Sequence, residues 1–224
     1  MNYTDYSDHF RKDRFIACIS HNEHNYKKLD KKKSFISHLS LNVDNLVTPH
    51  QIHSKNVSII NRPGVYDNTD GLISTNKTYV LSILVADCVP IFLLCNRTNY
   101  SALIHSGWRG TEKNIVSVAI NNLKSLGVRS SDIKAVIGPS IKQCCFEVDN
   151  DVAEKFNSNY YINGKNLKFM LDLSRVVYDQ LIDSRVSEDS ILLDSNCTYC
   201  NKSYFSFRRE GDAAGRMVAL AGWY

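Results

Sequence analysis

Short apolar runs punctuate the chain, and the densest group of them lies between Tyr79 and Ile104. Tyr79–Val85 (YVLSILV), Ile91–Cys95 (IFLLC) and Ala102–Ile104 are rich in branched residues and bounded by polar turns, a pattern that predicts strands. Val57–Ile60, Ile133–Ile137 and Ser190–Leu193 predict three more. The period becomes helical over Glu112–Leu126, where Ile115, Val118, Ala119, Leu123 and Leu126 share one face and Gly127 stands ready to stop the helix. Asp149–Phe156 and Leu173–Ile182 predict further helices, the second with Leu173, Val176, Val177 and Leu181 on one side. Ser34–Val43 fits a short helix or an edge strand equally well. Tyr204–Arg208 (YFSFR) reads as extended, followed by a turn at Gly211 and the apolar Met217–Ala221. Adjacent side chains on a strand point to opposite faces, so one of Arg208 and Arg209 is expected to face inward and to need an anionic partner.

Mixed strands and helices without internal repeats imply an α/β or α+β domain. No shift in composition divides the 224 residues, so one domain over 1–224 is expected. Hydrophobic residues make up 43% and charged residues 22%, the balance of an ordinary globular protein. The net charge of +4 is too mild and too dispersed to suggest a nucleic-acid surface. The run Lys31-Lys32-Lys33 reads as a solvated face. No apolar stretch approaches the ~18 residues that cross a bilayer, and the polar opening MNYTDYSDHFRKDR lacks the apolar core of a secretory signal. The expectation is a cytoplasmic protein with no membrane partner. Seven cysteines in such a chain predict thiols rather than a disulfide framework. Cys197 and Cys200 form a CxxC, but with no second CxxC to complete a four-sulfur site, incidental spacing is the expected reading.

The candidate chemistry gathers where strands end. Cys88 and His105 lie one strand, a turn and a return strand apart, and His53 in QIHSKNV precedes them. Two imidazoles and one thiolate suit zinc, or copper, and three protein donors leave a fourth tetrahedral position open. Against this stands the ordinary alternative of a buried structural cysteine and a satisfied histidine. The loop Ser106-Gly107-Trp108-Arg109-Gly110-Thr111 leads from a strand into a helix. Its exposed backbone N–H groups and Arg109 suit an anion such as phosphate, although both glycines would equally serve a tight turn. Asp87, beside Cys88, is a candidate either to orient a histidine or to cap a chain end, the structural role being favoured.

Taken together, QIHSKNV, ADCVPIFLL, HSGWRGT, IGPSI…CCFEV, Leu171-Asp172-Leu173 and CT…YFSFRREGDAAGRM resemble the YfiH, or multicopper-oxidase-like "laccase domain", family of purine nucleoside phosphorylases. The resemblance runs from about residue 50 to the end, in the family's order. It implies an α+β fold of four layers, α/β/β/α with mixed sheets, shared with a class of cysteine hydrolases and deamidating toxins. It also implies one zinc per active site, copper being less favoured, with His53, Cys88 and His105 as both ligands and catalytic centre. The implied reaction is phosphorolysis of adenosine, inosine, guanosine or methylthioadenosine to free base and ribose 1-phosphate, with deamination of adenosine as a second activity. Candidates for the substrate site are Arg109, Gly107, Gly110 and one of Arg208 and Arg209. The partners are then a purine nucleoside and phosphate, with the chain a monomer or weak homodimer.

The chain departs from the family in four places. Residues 1–33 are divergent, and Ala17–Leu29 lacks the family's glycine-rich opening motif, a segment expected near the pocket. Ser54 replaces a glycine and Ser106 an alanine, while Ser140 stands where cysteine is common. Three rival classes remain: a cysteine-dependent hydrolase or amidase acting in peptidoglycan editing, with Cys88 as nucleophile and His105 as base; a polyphenol oxidase-type copper protein, for which these donors are too few; and a zinc-stabilised interaction module.

Overall fold

Two six-stranded mixed sheets carry the chain, and the computed structural model describes residues 1–224 of it. Strands are numbered in chain order. The first sheet runs β1 (Tyr3–Asp5), β2 (Phe15–Ser20), β15 (Met217–Trp223), β7 (Val80–Val85), β3 (Leu46–Pro49) and β5 (Gly64–Tyr66). The second runs β14 (Ile191–Leu193), β10 (Ile133–Ile137), β8 (Val89–Cys95), β9 (Ser101–Ser106), β6 (Gly71–Ser74) and β4 (Val57–Ile60). A small third sheet holds β11 (Glu147–Val148), β13 (Phe169–Leu171) and β12 (Tyr161–Asn163). Antiparallel pairs dominate, with parallel pairs where β3 meets β5 and β7, β4 meets β6, and β10 meets β14.

Strand periodicity sorts the apolar side chains into three cores. Leu81, Ile83 and Val85 of β7 and Met217 and Ala219 of β15 meet Phe92 and Leu94 of β8 and Leu103 of β9, so the two large sheets bury a shared core. The alternate residues Ile91, Leu93, Ala102 and Ile104 face the opposite way, toward α4 (Ile115–Ser125) and α6 (Leu173–Asp183). On the far side of the first sheet, Cys18, Val80, Val218 and Leu220 pack on Phe35 and Ile36 of α2 (Leu29–His38). Every residue of β8, β9 and β15 is buried, which is why these strands read as continuous apolar runs rather than as alternation.

Several local expectations change. The helix expected over Glu112–Leu126 is two, α3 (Trp108–Glu112) and α4, because Asn114 takes a left-handed conformation (φ 55°) and its side chain caps the second helix by accepting the Ser117 N–H. Val116 and Ile120 are buried on α4 in place of Val118 and Leu126. The helix expected over Asp149–Phe156 shrinks to α5 (Asn150–Ala153). Of Ser34–Val43 only Ser34–His38 is helical, as the end of α2, and the left-handed Ser40 (φ 58°) keeps the rest out of it. Lys32 is not on a solvated face: it is 5% exposed, with Nζ donating to Thr48 Oγ1 at 3.4 Å. A helix buries one side, and position 32 falls on it beside Phe35 and Ile36.

The divergent N-terminal segment is built into the sheet, β2 pairing along β15 from Phe15 opposite Trp223 to Ile19 opposite Ala219. Besides these strands the N-terminal region contributes the short α1 (Ser7–Phe10). All seven cysteines are thiols. The CxxC of Cys197 and Cys200 does not stand alone: Ser140 bridges to Cys197, and Cys144, Cys145, Cys197 and Cys200 lie within 4.8 Å of one another at their sulfurs. The missing second pair is the adjacent Cys144-Cys145, supplied by a different loop. No helix is long and apolar enough to cross a membrane.

Candidate active site

Cys88 sits where the chain crosses from one sheet to the other. β7 belongs to the first sheet and β8 to the second, and only Ala86-Asp87-Cys88 join them. So tight a crossing forces Asp87 to φ 85°, a conformation that L-residues adopt at a cost of about 1–3 kcal/mol and that surrounding contacts must hold. The carboxylate of Asp87 supplies two of them, accepting the Thr198 hydroxyl at 2.7 Å and the Arg208 backbone N–H at 2.7 Å, while its carbonyl accepts the Ile141 N–H at 3.0 Å. Arg208 lies in the first turn of α7 (Phe207–Glu210), so Asp87 caps that helix rather than orienting a histidine.

His105 reaches the same place because β9 pairs antiparallel with β8, Pro90 opposite His105. Its Nδ1–H donates to Asp70 Oδ1 at 2.9 Å, which leaves Nε2 as the free donor atom. Asp70 is wholly buried and also accepts the backbone N–H groups of Ile52, His53 and Ser54, at 3.3, 3.0 and 2.7 Å, and the Ser54 hydroxyl at 2.8 Å. One carboxylate therefore orients one imidazole directly and the other through the loop that carries it. His53 is itself left-handed (φ 58°), and the three successive N–H groups converging on Asp70 explain how that conformation is held. Ahead of it, the Gln51 amide bonds both ways to the backbone of Leu84, at 2.9 Å each, anchoring the loop to β7.

The donor atoms of His53, Cys88 and His105 lie within 4.8 Å of one another, as a single ion would require. The two imidazoles meet edge to face with centroids 4.9 Å apart. Burial pushes the Cys88 thiol up, but the charge on His105 and hydrogen bonds from both histidines outweigh it and bring the group down to about 6. Burial works against the His105 charge, yet Cys88 and Asp70 raise it to about 9. Burial also disfavours the Asp70 carboxylate, and the bonds from His105 and Ser54 overcome it and hold the group down at about 2. The set thus favours a Cys88 thiolate paired with a charged His105, over an Asp70 carboxylate that stays ionised.

These residues open onto a cavity of about 680 Å³. Gly107 and Arg109 line it, as expected, and so does Arg208. Gly107 is needed for close approach: a Cβ there would lie 3.1 Å from both Cys88 Sγ and His53 Cδ2. Gly110 and Arg209 are not in the cavity wall. Gly110 packs on the Ser54 carbonyl, which an added Cβ would approach to 2.8 Å. Arg209 does turn inward, but from a helix rather than a strand, and its guanidinium donates to the carbonyls of Thr198, Tyr199 and Tyr204 and to Glu210. Tyr204–Arg208 is not extended, because the Ser206 hydroxyl caps α7 by accepting the Arg209 N–H.

Sequence reasoning passed over four cavity or support residues. Asp70 looked like half of a turn, since an Asp-Gly before a strand gives no sign that its carboxylate is buried. Lys27 lies in the divergent N-terminal stretch, and His50 and Arg216 carry no spacing signal. Three arginines of the wall stack on aromatic rings: Arg109 on Trp108, Arg208 on Phe146 and Arg216 on Phe207, at 4.2, 5.6 and 5.7 Å from the ring centroids. With Lys27 they make the cavity cationic, and the one carboxylate in its wall, Asp87, is engaged with Thr198 and Arg208.

Fold and site together define an α+β protein with a three-donor His/Cys centre at the floor of a basic, aromatic-edged cavity. The chain belongs to the family described as multi-copper polyphenol oxidoreductase laccase, whose sequence profile it matches over residues 19–223. It is 30% identical over 206 residues to adenosine deaminase RL5 from an unknown prokaryotic organism, covering 84% of this chain and 79% of that one. It is 35% identical over 161 residues to a purine nucleoside phosphorylase of Clostridium acetobutylicum, covering 67% of this chain and 65% of that one. The YfiH protein of Bacillus licheniformis shares the fold, with a TM-score of 0.88 at 23% identity over 94% of this chain and 93% of that one.

Proposed function

We propose that the chain is a zinc enzyme acting on purine nucleosides, cleaving adenosine, inosine, guanosine or methylthioadenosine with phosphate to free base and ribose 1-phosphate, with adenosine deamination as a second activity. The observation that carries the reading is the convergence in one cavity of three metal-type donors with four cationic side chains, Lys27, Arg109, Arg208 and Arg216. The names of the two relatives support the same pair of reactions. The three cores, alternating helix, sheet, sheet and helix, fit the four-layer order that the resemblance implied.

The donor chemistry fits zinc: two imidazoles, one thiolate of lowered pKa, and a carboxylate behind one imidazole that fixes its tautomer. His53, Cys88 and His105 would hold the zinc ion, which would supply a Lewis acid at neutral pH. Asp70 keeps the His105 Nδ1 proton in place, so Nε2 is the ring nitrogen that would serve as the ligand. Arg109 and Arg208, each held over a ring, present N–H groups to phosphate without a large loss of side-chain freedom. Trp108, Phe146 and Phe207 offer flat apolar surface to a purine, and the cavity volume suits a nucleoside with phosphate beside it.

The decisive experiment is a product assay on zinc-loaded protein with adenosine, inosine and methylthioadenosine, each with and without phosphate, and with chelated protein as control. The expected outcome is phosphate-dependent release of free base that chelation abolishes. Turnover that survives chelation but is lost on thiol alkylation would replace this reading with a Cys88-dependent hydrolase.

A further inference from the structure

Two surface loops meet away from the cavity floor, and each brings a pair of cysteines. One is the turn after Ser140, where the N–H groups of Cys145 and Phe146 both donate to the Lys142 carbonyl at 2.9 Å and carry Cys144 and Cys145 round the bend. The other is the turn from Cys197 to Cys200, closed by the Asn201 N–H on the Cys197 carbonyl at 2.8 Å. All four sulfurs lie within 4.8 Å of one another, with Cys145 to Cys200 at 3.3 Å and Cys144 to Cys200 at 4.0 Å. Four sulfurs each about 2.3 Å from one tetrahedral zinc stand roughly 3.8 Å apart, whereas a disulfide would bring one pair to about 2.05 Å. The spacing is that of a single ion, and it is too tight for a multi-iron cluster to fit between the sulfurs.

A second observation points the same way. Cys197, the one buried member, has the backbone N–H groups of Lys142, Tyr199 and Cys200 directed at its sulfur, that of Lys142 at 3.5 Å. A neutral thiol is a weak acceptor, and three donors aimed at one sulfur is the environment of a metal-bound thiolate. The turn geometry that produces them, a CxxC folded so that its own N–H groups face the first sulfur, is one that a metal would stabilise.

We infer that Cys144, Cys145, Cys197 and Cys200 form a second metal site, a closed four-thiolate zinc centre that clamps the 140–147 loop to the 196–210 segment. Its role is structural, since four protein donors leave no position for substrate. The clamp explains how two loops with little regular structure hold one wall of the cavity. The first loop carries Ile141 and Phe146, and the second carries Thr198, which braces Asp87 next to Cys88, and Arg208, whose Nη1 reaches the Cys145 carbonyl at 3.5 Å.

The test isolates this site from the first by starting from Cys88→Ala, purified anaerobically with a reductant. One equivalent of tightly held zinc is expected in Cys88→Ala, and none after Cys144→Ser and Cys200→Ser are added. Cobalt(II) exchanged into Cys88→Ala is expected to show intense thiolate-to-cobalt charge transfer in the near ultraviolet with tetrahedral visible bands, a readout that stands even where the triple variant does not fold. Cys88→Ala protein that retains neither zinc nor cobalt, or whose intact mass shows these cysteines joined in disulfides despite reductant and added zinc, overturns the proposal. Neither outcome depends on which substrate the first site turns over.

Discussion

The three-donor centre and the four-cysteine cluster use overlapping donor types for opposite ends. In the first, His53 from the loop between β3 and β4, Cys88 from the crossing between the sheets and His105 from the end of β9 converge beside the buried Asp70 and face a cavity of about 680 Å³. In the second, two turns bring four sulfurs together at the surface, with Cys144 and Cys200 exposed. Three donors with a carboxylate behind and space ahead suit catalysis, and four donors that fill a tetrahedron suit a clamp. Neither residue type nor sequence spacing distinguishes the two; the number of donors and what faces the remaining position do.

Replacing Cys88 with alanine probes that difference hardest. Turnover of any purine nucleoside is expected to fall at least ~10³-fold, on the order of 4 kcal/mol of transition-state stabilisation, with loss of one metal equivalent and retention of the other. A Cys88→Ala protein that keeps full activity would end the catalytic assignment. Gly107→Ala should come next, because the added methyl presses on Cys88 Sγ and His53 Cδ2 while the backbone at φ −78° accepts alanine freely. A drop of roughly 10–100-fold in activity with unchanged melting temperature is expected, a range typical of disturbing a metal site's immediate support. Asp70→Asn should weaken metal binding by a similar ~10–100-fold, measured by competition with a chromogenic chelator.

The paired arginines sharpen the comparison at the cavity wall. Arg208→Ala is expected to raise the KM for phosphate about tenfold, the loss of a charge-assisted contact of ~1.4 kcal/mol, at unchanged zinc content. Arg209→Ala should leave that KM alone and lower the melting temperature, since its guanidinium is bound to three carbonyls and Glu210. The reverse pattern would exchange their roles. The smallest effect on turnover belongs to Lys32→Met, at a position outside the cavity wall. Burial lowers Lys32 to about 8 from an ordinary 10.5, so the folded chain binds this proton less tightly than the unfolded one. The resulting penalty is fully present below pH 8 and is relieved as pH rises toward 10.5. Lys32→Met should therefore be more stable by roughly 1–3 kcal/mol at pH 7 in denaturant titrations, with the advantage shrinking through that window.

Legibility followed how local each cause was. β7, β8, β9, β10 and α6 appeared close to their observed bounds, because burial of these segments writes a continuous or periodic apolar pattern into the chain. The helix over Glu112–Leu126 was misjudged because a left-handed asparagine cap leaves the apolar period almost intact while breaking the backbone. Arg208 and Arg209 were rightly separated into an inward and an outward residue, but for the wrong reason, since successive positions diverge on a helix as they do on a strand.

The class of fold, the candidate donor set of the first centre and the family are legible in residues whose identity is the information: His53, Cys88, His105 and the motifs around them. Folding in three dimensions is what puts Asp70 behind the histidines, turns Arg208 rather than Arg209 to the cavity, and brings Cys144-Cys145 beside the CxxC. The reason is physical. A side chain's type and its local period are set within a few residues, but its partners are set by strand pairing and by loops crossing between sheets, and the distance along the chain carries no record of either.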